Sequence, residues 1–180
     1  YELWKKQGKR FIGSTGIPGS GTTLIEMVDT LTPDHAYEYW ATGAKGNKPT
    51  ITGHIPSGFQ NPYLDGLLAD ELHGGNEVLW TAWTEAVRRL RQDFPGKVFY
   101  PYCGPLYYHE EEITFSRTMM DCGYAFAWEV YLPEAATEYA ARELIYKQFR
   151  NDMLSWKAAV PGVERAVMIN FGHLISSPSN

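Results

Sequence analysis

Cysteine is scarce in this chain of 180 residues, with only Cys103 and Cys122 present. That excludes a multi-disulfide scaffold. The strand-helix reading below sets the two at opposite ends of one layer, beyond the roughly 7 Å Cα separation that a disulfide tolerates, so two free thiols are expected. Long apolar runs are also missing, and none approaches the roughly 18 to 20 residues of a bilayer-spanning helix, so no membrane partner is expected. Basic charge is in deficit, with 16 Lys and Arg against 21 Asp and Glu and a net charge of -5. Nucleic-acid affinity rests largely on cations neutralising phosphates, so no nucleic-acid partner is expected either. The short basic run Lys5, Lys6, Lys9 and Arg10 reads as a solvated lead-in to a strand. Neither an initiator Met nor a charged-then-apolar leader opens the chain, which suggests a processed or excised piece of something longer.

What is present is 44% hydrophobic and 14% aromatic residues, enough for one buried core. The expectation is a single α/β domain over 1–180, an excised part of a longer barrel. Periodicity is clearest in the second half. An apolar run over 64–71 ends in Asp70 and Glu71, and Gly74-Gly75-Asn76 follows as a turn and helix cap. A helix over 77–94 aligns Leu79, Trp83, Ala86, Leu90 and Phe94 on one stripe until Pro95-Gly96 stops it. The unit recurs as a strand over 97–103, a helix over 110–121 with acids in its first turn, a strand over 124–132, a helix from 133 or 134 to 159, and a strand over 165–171. Earlier, 10–15 and 50–55 suit strands and 33–42 a helix. Four strands separated by three helices require parallel crossovers. At most six strands are visible, so the expected fold is a partial or truncated (β/α) TIM-type barrel with parallel strands.

Alternation predicts which side chains share a face. Over 124–132 the bulky Tyr124, Phe126, Trp128, Val130 and Leu132 oppose Ala125, Ala127, Glu129 and Tyr131. The same parity groups Leu67, Ala69 and Glu71 on one strand and Ala166, Met168 and Asn170 on another. Helices are expected on the bulky side. Glu71, Glu129 and Asn170 are expected toward the barrel axis, with Tyr100 and Tyr102 between them. Carboxylates at the carboxyl ends of parallel strands lie where such folds do chemistry, because successive loops encircle a ligand there.

The segment Asp65-Gly66-Leu67-Leu68-Ala69-Asp70-Glu71 resembles the fourth strand of several barrel-type glycoside hydrolase families, in which an Asp-Gly pair, apolar residues and a terminal acid recur. In the large clan with glutamates on the fourth and seventh strands an Asn precedes the first Glu, where this chain has Asp70. The resemblance implies that Asp70 and Glu71 inherit a catalytic role, with Glu129 as the partner acid. Glycoside hydrolysis uses two carboxyl groups, one protonated and one ionised. His73, Tyr102, Trp128, Tyr131 and Asn170 are the expected substrate-binding residues around a carbohydrate ligand, because aromatics stack on sugar faces and polar tips orient hydroxyls. An incomplete barrel is also expected to pair with its remaining strands or with another copy.

Three other readings compete. A non-catalytic carbohydrate-binding remnant would keep the acids as hydrogen-bond acceptors. Gly16-Ile17-Pro18-Gly19-Ser20-Gly21-Thr22-Thr23 looks like a degenerate phosphate-binding loop, with Thr22 where the phosphate-reaching Lys would stand. His73 with Asp70, and His109 before Glu110, Glu111 and Glu112, lack metal-ligand spacing, so neither a metal nor a cofactor is expected.

Overall fold

A computed structural model describes residues 2–18, 31–43, 57–73, 77–132 and 135–173, with the side chains at 131–132 and 170–173 left out. The expected strand over 50–55 and the cap at 74–76 lie outside the described residues. Within them, helix α1 (Glu2–Lys6), strand β1 (Ile12–Thr15), helix α2 (Pro33–Thr42), strand β2 (Gly66–Ala69), helix α3 (Glu77–Asp93), strand β3 (Val98–Cys103), helix α4 (Glu110–Asp121) and strand β4 (Phe126–Leu132) follow one another. Helix α5 (Glu138–Ile145), a π-helical turn (Tyr146–Arg150), helix α6 (Asn151–Ala159) and strand β5 (Val167–His173) complete the succession.

The five strands form an all-parallel sheet in the order β1-β2-β3-β4-β5. Because parallel crossovers are right-handed, a consecutive order sends every connecting helix to the same side of the sheet. The result is an α/β arrangement with a five-stranded, all-parallel sheet among the described residues. The core lies between sheet and helices, where Leu67, Phe99 and Phe126 of the strands meet Trp40, Trp83, Phe115 and Trp156 of the helices, all buried. The predicted stripe of α3 is the face that it buries. Cys103 and Cys122 are both free and buried.

Local chemistry explains the boundaries. Thr32 caps α2, its hydroxyl accepting from the His35 N–H at 3.2 Å, and Pro33 occupies the first turn, where no N–H is missed. Thr137 caps α5 in the same way through the Ala140 N–H at 3.1 Å, so that helix begins at Glu138, later than the expected 133 or 134. Its run to Ala159 is also interrupted by the π-helical turn, which seats buried Phe149 against Trp128 with ring centroids 5.1 Å apart. At the start of β2, an alanine-sized Cβ on Gly66 would lie 2.2 Å from the Val98 carbonyl oxygen, so the tight approach of β2 to β3 requires glycine there.

Asp65 ties β1 to β2. Its carboxylate accepts from the Phe11 N–H at 2.9 Å and pairs with Lys5 at 3.1 Å, while its own N–H donates to the Phe11 carbonyl at 2.8 Å. The Phe11 N–H bond, reinforced by Lys5, holds the Asp65 carboxyl below its ordinary pKa. A depressed folded-state value means that the stabilisation is complete above the ordinary aspartate pKa of about 3.9 and is lost as pH falls through the lowered value. Asp65→Asn is accordingly expected to flatten the acid limb of a stability-against-pH curve below about pH 4, measured by urea unfolding, and to leave the curve's shape near neutrality unchanged. An unaltered acid limb would count against this clamp.

Candidate functional site

The register defines two faces of the sheet. Leu67 pairs with Phe99, Ala69 with Pro101, Cys103 with Trp128 and Trp128 with Ile169, which makes one row on the helix-covered side. Leu68 pairs with Tyr100, Tyr102 with Ala127 and Glu129 with Asn170, which makes the opposite row. Glu129 and Tyr102 thus share the face opposite the one that the described helices cover, as alternation along β4 predicts. Along β2 the expected parity is corrected: Leu67 and Ala69 face the helices and are fully buried, and Leu68 is the residue on the face of Glu129. A run of small and aliphatic residues has too little polarity contrast to reveal which parity points inward.

Glu71 nevertheless reaches the cleft, for a different reason. It is the one non-glycine residue with positive φ, at 54°, among those described. This left-handed turn breaks the alternation just past β2, leaving Glu71 exposed while Leu72 is buried and its N–H donates to the Tyr102 carbonyl at 2.8 Å. A glutamate in this region is strained, and such strain concentrates at functional sites. Glu71→Gly is expected to raise the free energy of unfolding by about 1 kcal/mol, because glycine adopts positive φ without the Cβ clash. An equal or lower urea midpoint would show that the turn carries no such strain.

Glu71, Leu72, His73, Tyr102, Cys103, Gly104 and Glu129 line a cleft of about 240 Å³ at the carboxyl ends of β2, β3 and β4. Burial, with the negative charges of Glu129 and then Asp70, raises the Tyr102 hydroxyl above its ordinary pKa, so this phenol stays protonated and available to donate near two carboxylates. Among the described residues no basic side chain forms an ion pair with Asp70, Glu71 or Glu129. Burial, followed by Glu129 and Glu112, pushes the Cys103 thiol up, which disqualifies it as a thiolate nucleophile at neutral pH.

Of the expected binding residues, His73 and Tyr102 line the cleft. Trp128 does not: it is buried on the opposite face against Phe149 and Trp156, because an indole on the bulky side of β4 packs under the helices. Tyr131 and Asn170 have backbones in β4 and β5, and their side chains lie outside those described. Asp70 is exposed beside the cleft, its N–H donating to the Thr15 carbonyl at 2.8 Å. Gly104 was not anticipated, although a Gly-Pro pair straight after a strand marks a tight loop at its end.

The Asp-Gly pair of the β2 segment has a structural explanation that is independent of chemistry, in the Asp65 clamp and the Gly66 contact described above. Of the degenerate phosphate loop, Gly16, Ile17 and Pro18 are described and 19–23 are not. The Gly16 and Pro18 carbonyls accept from the indoles of Trp40 at 3.4 Å and Trp83 at 3.1 Å, which ties this stretch to the helical layer. A larger cleft of about 380 Å³ lies between α3 and α4, floored by Trp80 and rimmed by Glu85, Arg88, Glu110 and Glu111. It shares no lining residue with the cleft at the strand ends, and Arg88 is committed to Glu85 and Thr118. Among the described residues no three His, Cys, Asp or Glu side chains gather to hold a metal ion. No protein-family model matches the chain, and no curated protein or solved structure matches it.

Proposed function

We propose that the chain is a carbohydrate-active hydrolase of the glycoside hydrolase type, working through two carboxyl groups at the carboxyl ends of its strands. The observation that carries this reading is that Glu71 and Glu129, with the protonated Tyr102 between their strands, line one cleft at the carboxyl ends of a parallel sheet. The backbones of β2 and β4 are two strand spacings apart, about 9.6 Å. Glutamate side chains that lean toward each other from backbones this far apart can span the separation of roughly 5 to 9.5 Å over which paired acids cleave glycosidic bonds. One carboxyl donates a proton to the leaving oxygen as the bond to the anomeric carbon breaks. The other, ionised, either takes a proton from the attacking water or attacks the anomeric carbon itself. Tyr102 and His73 orient sugar hydroxyls, and Asp70 adds negative charge that favours a cationic, oxocarbenium-like transition state.

The same geometry supports a binding-only version, in which the carboxylates accept hydrogen bonds from a saccharide. A panel of aryl glycosides and polysaccharides, assayed for released sugar and by calorimetry for binding, separates the two. Hydrolysis supports the enzyme, and binding without hydrolysis leaves the lectin-like remnant. Absence of both removes carbohydrate from the reading.

A further inference from the structure

Glu129 lies between Trp128 and Val130 on β4, and those two neighbours point to the opposite face of the sheet, where both are buried. With Phe149 they form a small apolar cluster of their own beneath β4, and Met153 and Val167 pack against it. Phe149 is the one residue that the π-helical turn buries; α5 before it buries none, and α6 after it buries Trp156 alone. Phe149, Met153 and Trp156 keep the i, i+4, i+7 spacing of a single helix face. The rings of Phe149 and Trp156 both reach Trp128, at centroid distances of 5.1 and 6.3 Å. Single π-helical turns are rare and recur at functional sites.

The lateral support of β4 is uneven at this point. Its pairing with β3 ends at Cys103 and Trp128, one residue before Glu129, while its pairing with β5 runs on through Glu129 and Asn170. Hydrogen bonds to a neighbouring strand fix β4 within the sheet, and displacement along the sheet normal is resisted by what packs beneath Trp128 and Val130. We infer that Phe149 is a positioning residue for Glu129: seated by the π-helical turn, its ring props Trp128 and sets the height at which β4 presents the Glu129 carboxyl to the cleft. This role rests on the two-carboxylate reading of that cleft. A ring-sized void beneath Trp128 relaxes by partial collapse of its walls. The strand then sinks toward the helices, and Glu129 withdraws from Tyr102 and Glu71.

Tyr102 reports the position of Glu129 without any substrate, since burial and then the Glu129 charge raise its pKa. NMR titration of the intact chain, isotope-labelled at tyrosine Cζ and with Tyr102→Phe assigning the signal, reads that pKa. Phe149→Ala is expected to move the Tyr102 midpoint down toward the ordinary tyrosine value of about 10, and the same substitution in a Glu129→Gln background is expected to move it no further. Phe149→Leu, which keeps apolar bulk, should shift it the same way by less, and it carries the same cycle if the alanine variant folds poorly. For any saccharide that the wild-type chain cleaves, Phe149→Ala should lower kcat by about 10 to 100-fold and leave KM within about threefold, the pattern of a reacting group misplaced by about 1 Å. Equal Tyr102 shifts in the two backgrounds, or none in the wild type, would overturn the role of Phe149. A chain that cleaves no saccharide, yet whose two backgrounds differ as expected, would keep the Phe149 prop and remove the hydrolase.

Discussion

Glu129→Gln is expected to lower hydrolysis of any saccharide that the wild-type chain cleaves by about 10² to 10⁴-fold, the usual contribution of a positioned acid or base. The amide keeps the shape of the carboxyl group and most of its hydrogen bonding, but it cannot exchange a proton at neutral pH. Binding of the same saccharide, measured by calorimetry, should therefore persist while turnover falls, the signature of an interaction made in the transition state. Glu129 is half-buried on the face opposite the described helices and belongs to none of the ion pairs of the described residues, so the substitution should leave the fold intact. Unchanged turnover would remove Glu129 from the chemistry. Glu71→Gly complements it: stability should rise as the left-handed turn relaxes, and activity should fall as a carboxyl leaves the cleft. The opposite signs separate a strained functional residue from a merely tolerated one.

Trp156→Ala should cost about 3 to 5 kcal/mol of stability, the range for deleting a fully buried aromatic. Trp156 is completely enclosed in the main core, edge-on to Phe126 with ring centroids 4.9 Å apart and to Trp128 at 6.3 Å. Its indole N–H donates to the Ser116 hydroxyl at 3.3 Å, and that hydroxyl donates to the Leu106 carbonyl at 3.2 Å. One side chain of α6 therefore fastens α4 and the loop that leaves β3, and a large cavity would open where three segments meet. Urea unfolding measures the loss directly. Trp156→Phe should recover most of it, since the lost hydrogen bond leaves Ser116 still bonded to Leu106 and a net hydrogen bond contributes only about 1 kcal/mol. A loss below about 1 kcal/mol for the alanine variant would mean that the site collapses around the missing ring, contrary to close packing.

Much of the architecture is legible in the residue pattern. The apolar stripe of α3, the Pro-Gly stop behind it, the acids that open α4 and the alternation of large and small residues along β4 each carry an unambiguous period, and their elements occur where that period places them. Parallel strands follow as well, because consecutive strands are separated by helices long enough to cross back. The site is legible only in part. Glu129 stands out as a charge within the small row of β4, and Tyr102 shares its face by register.

The remainder depends on tertiary structure. Local periodicity is blind to a single backbone torsion, so the positive φ that carries Glu71 into the cleft has no trace in spacing. It is equally blind to which parity of β2 points inward, because Leu67 and Leu68 are alike in polarity and only the helices packed on one side distinguish them. Trp128 is an aromatic near an acid in the sequence and a core residue in space, since neighbouring positions on a strand face opposite ways. The sequence by itself determined the succession of strands and helices, because each element's period is written in its own residues. Only the tertiary structure decided which carboxylates meet, because that depends on contacts between segments far apart in the chain.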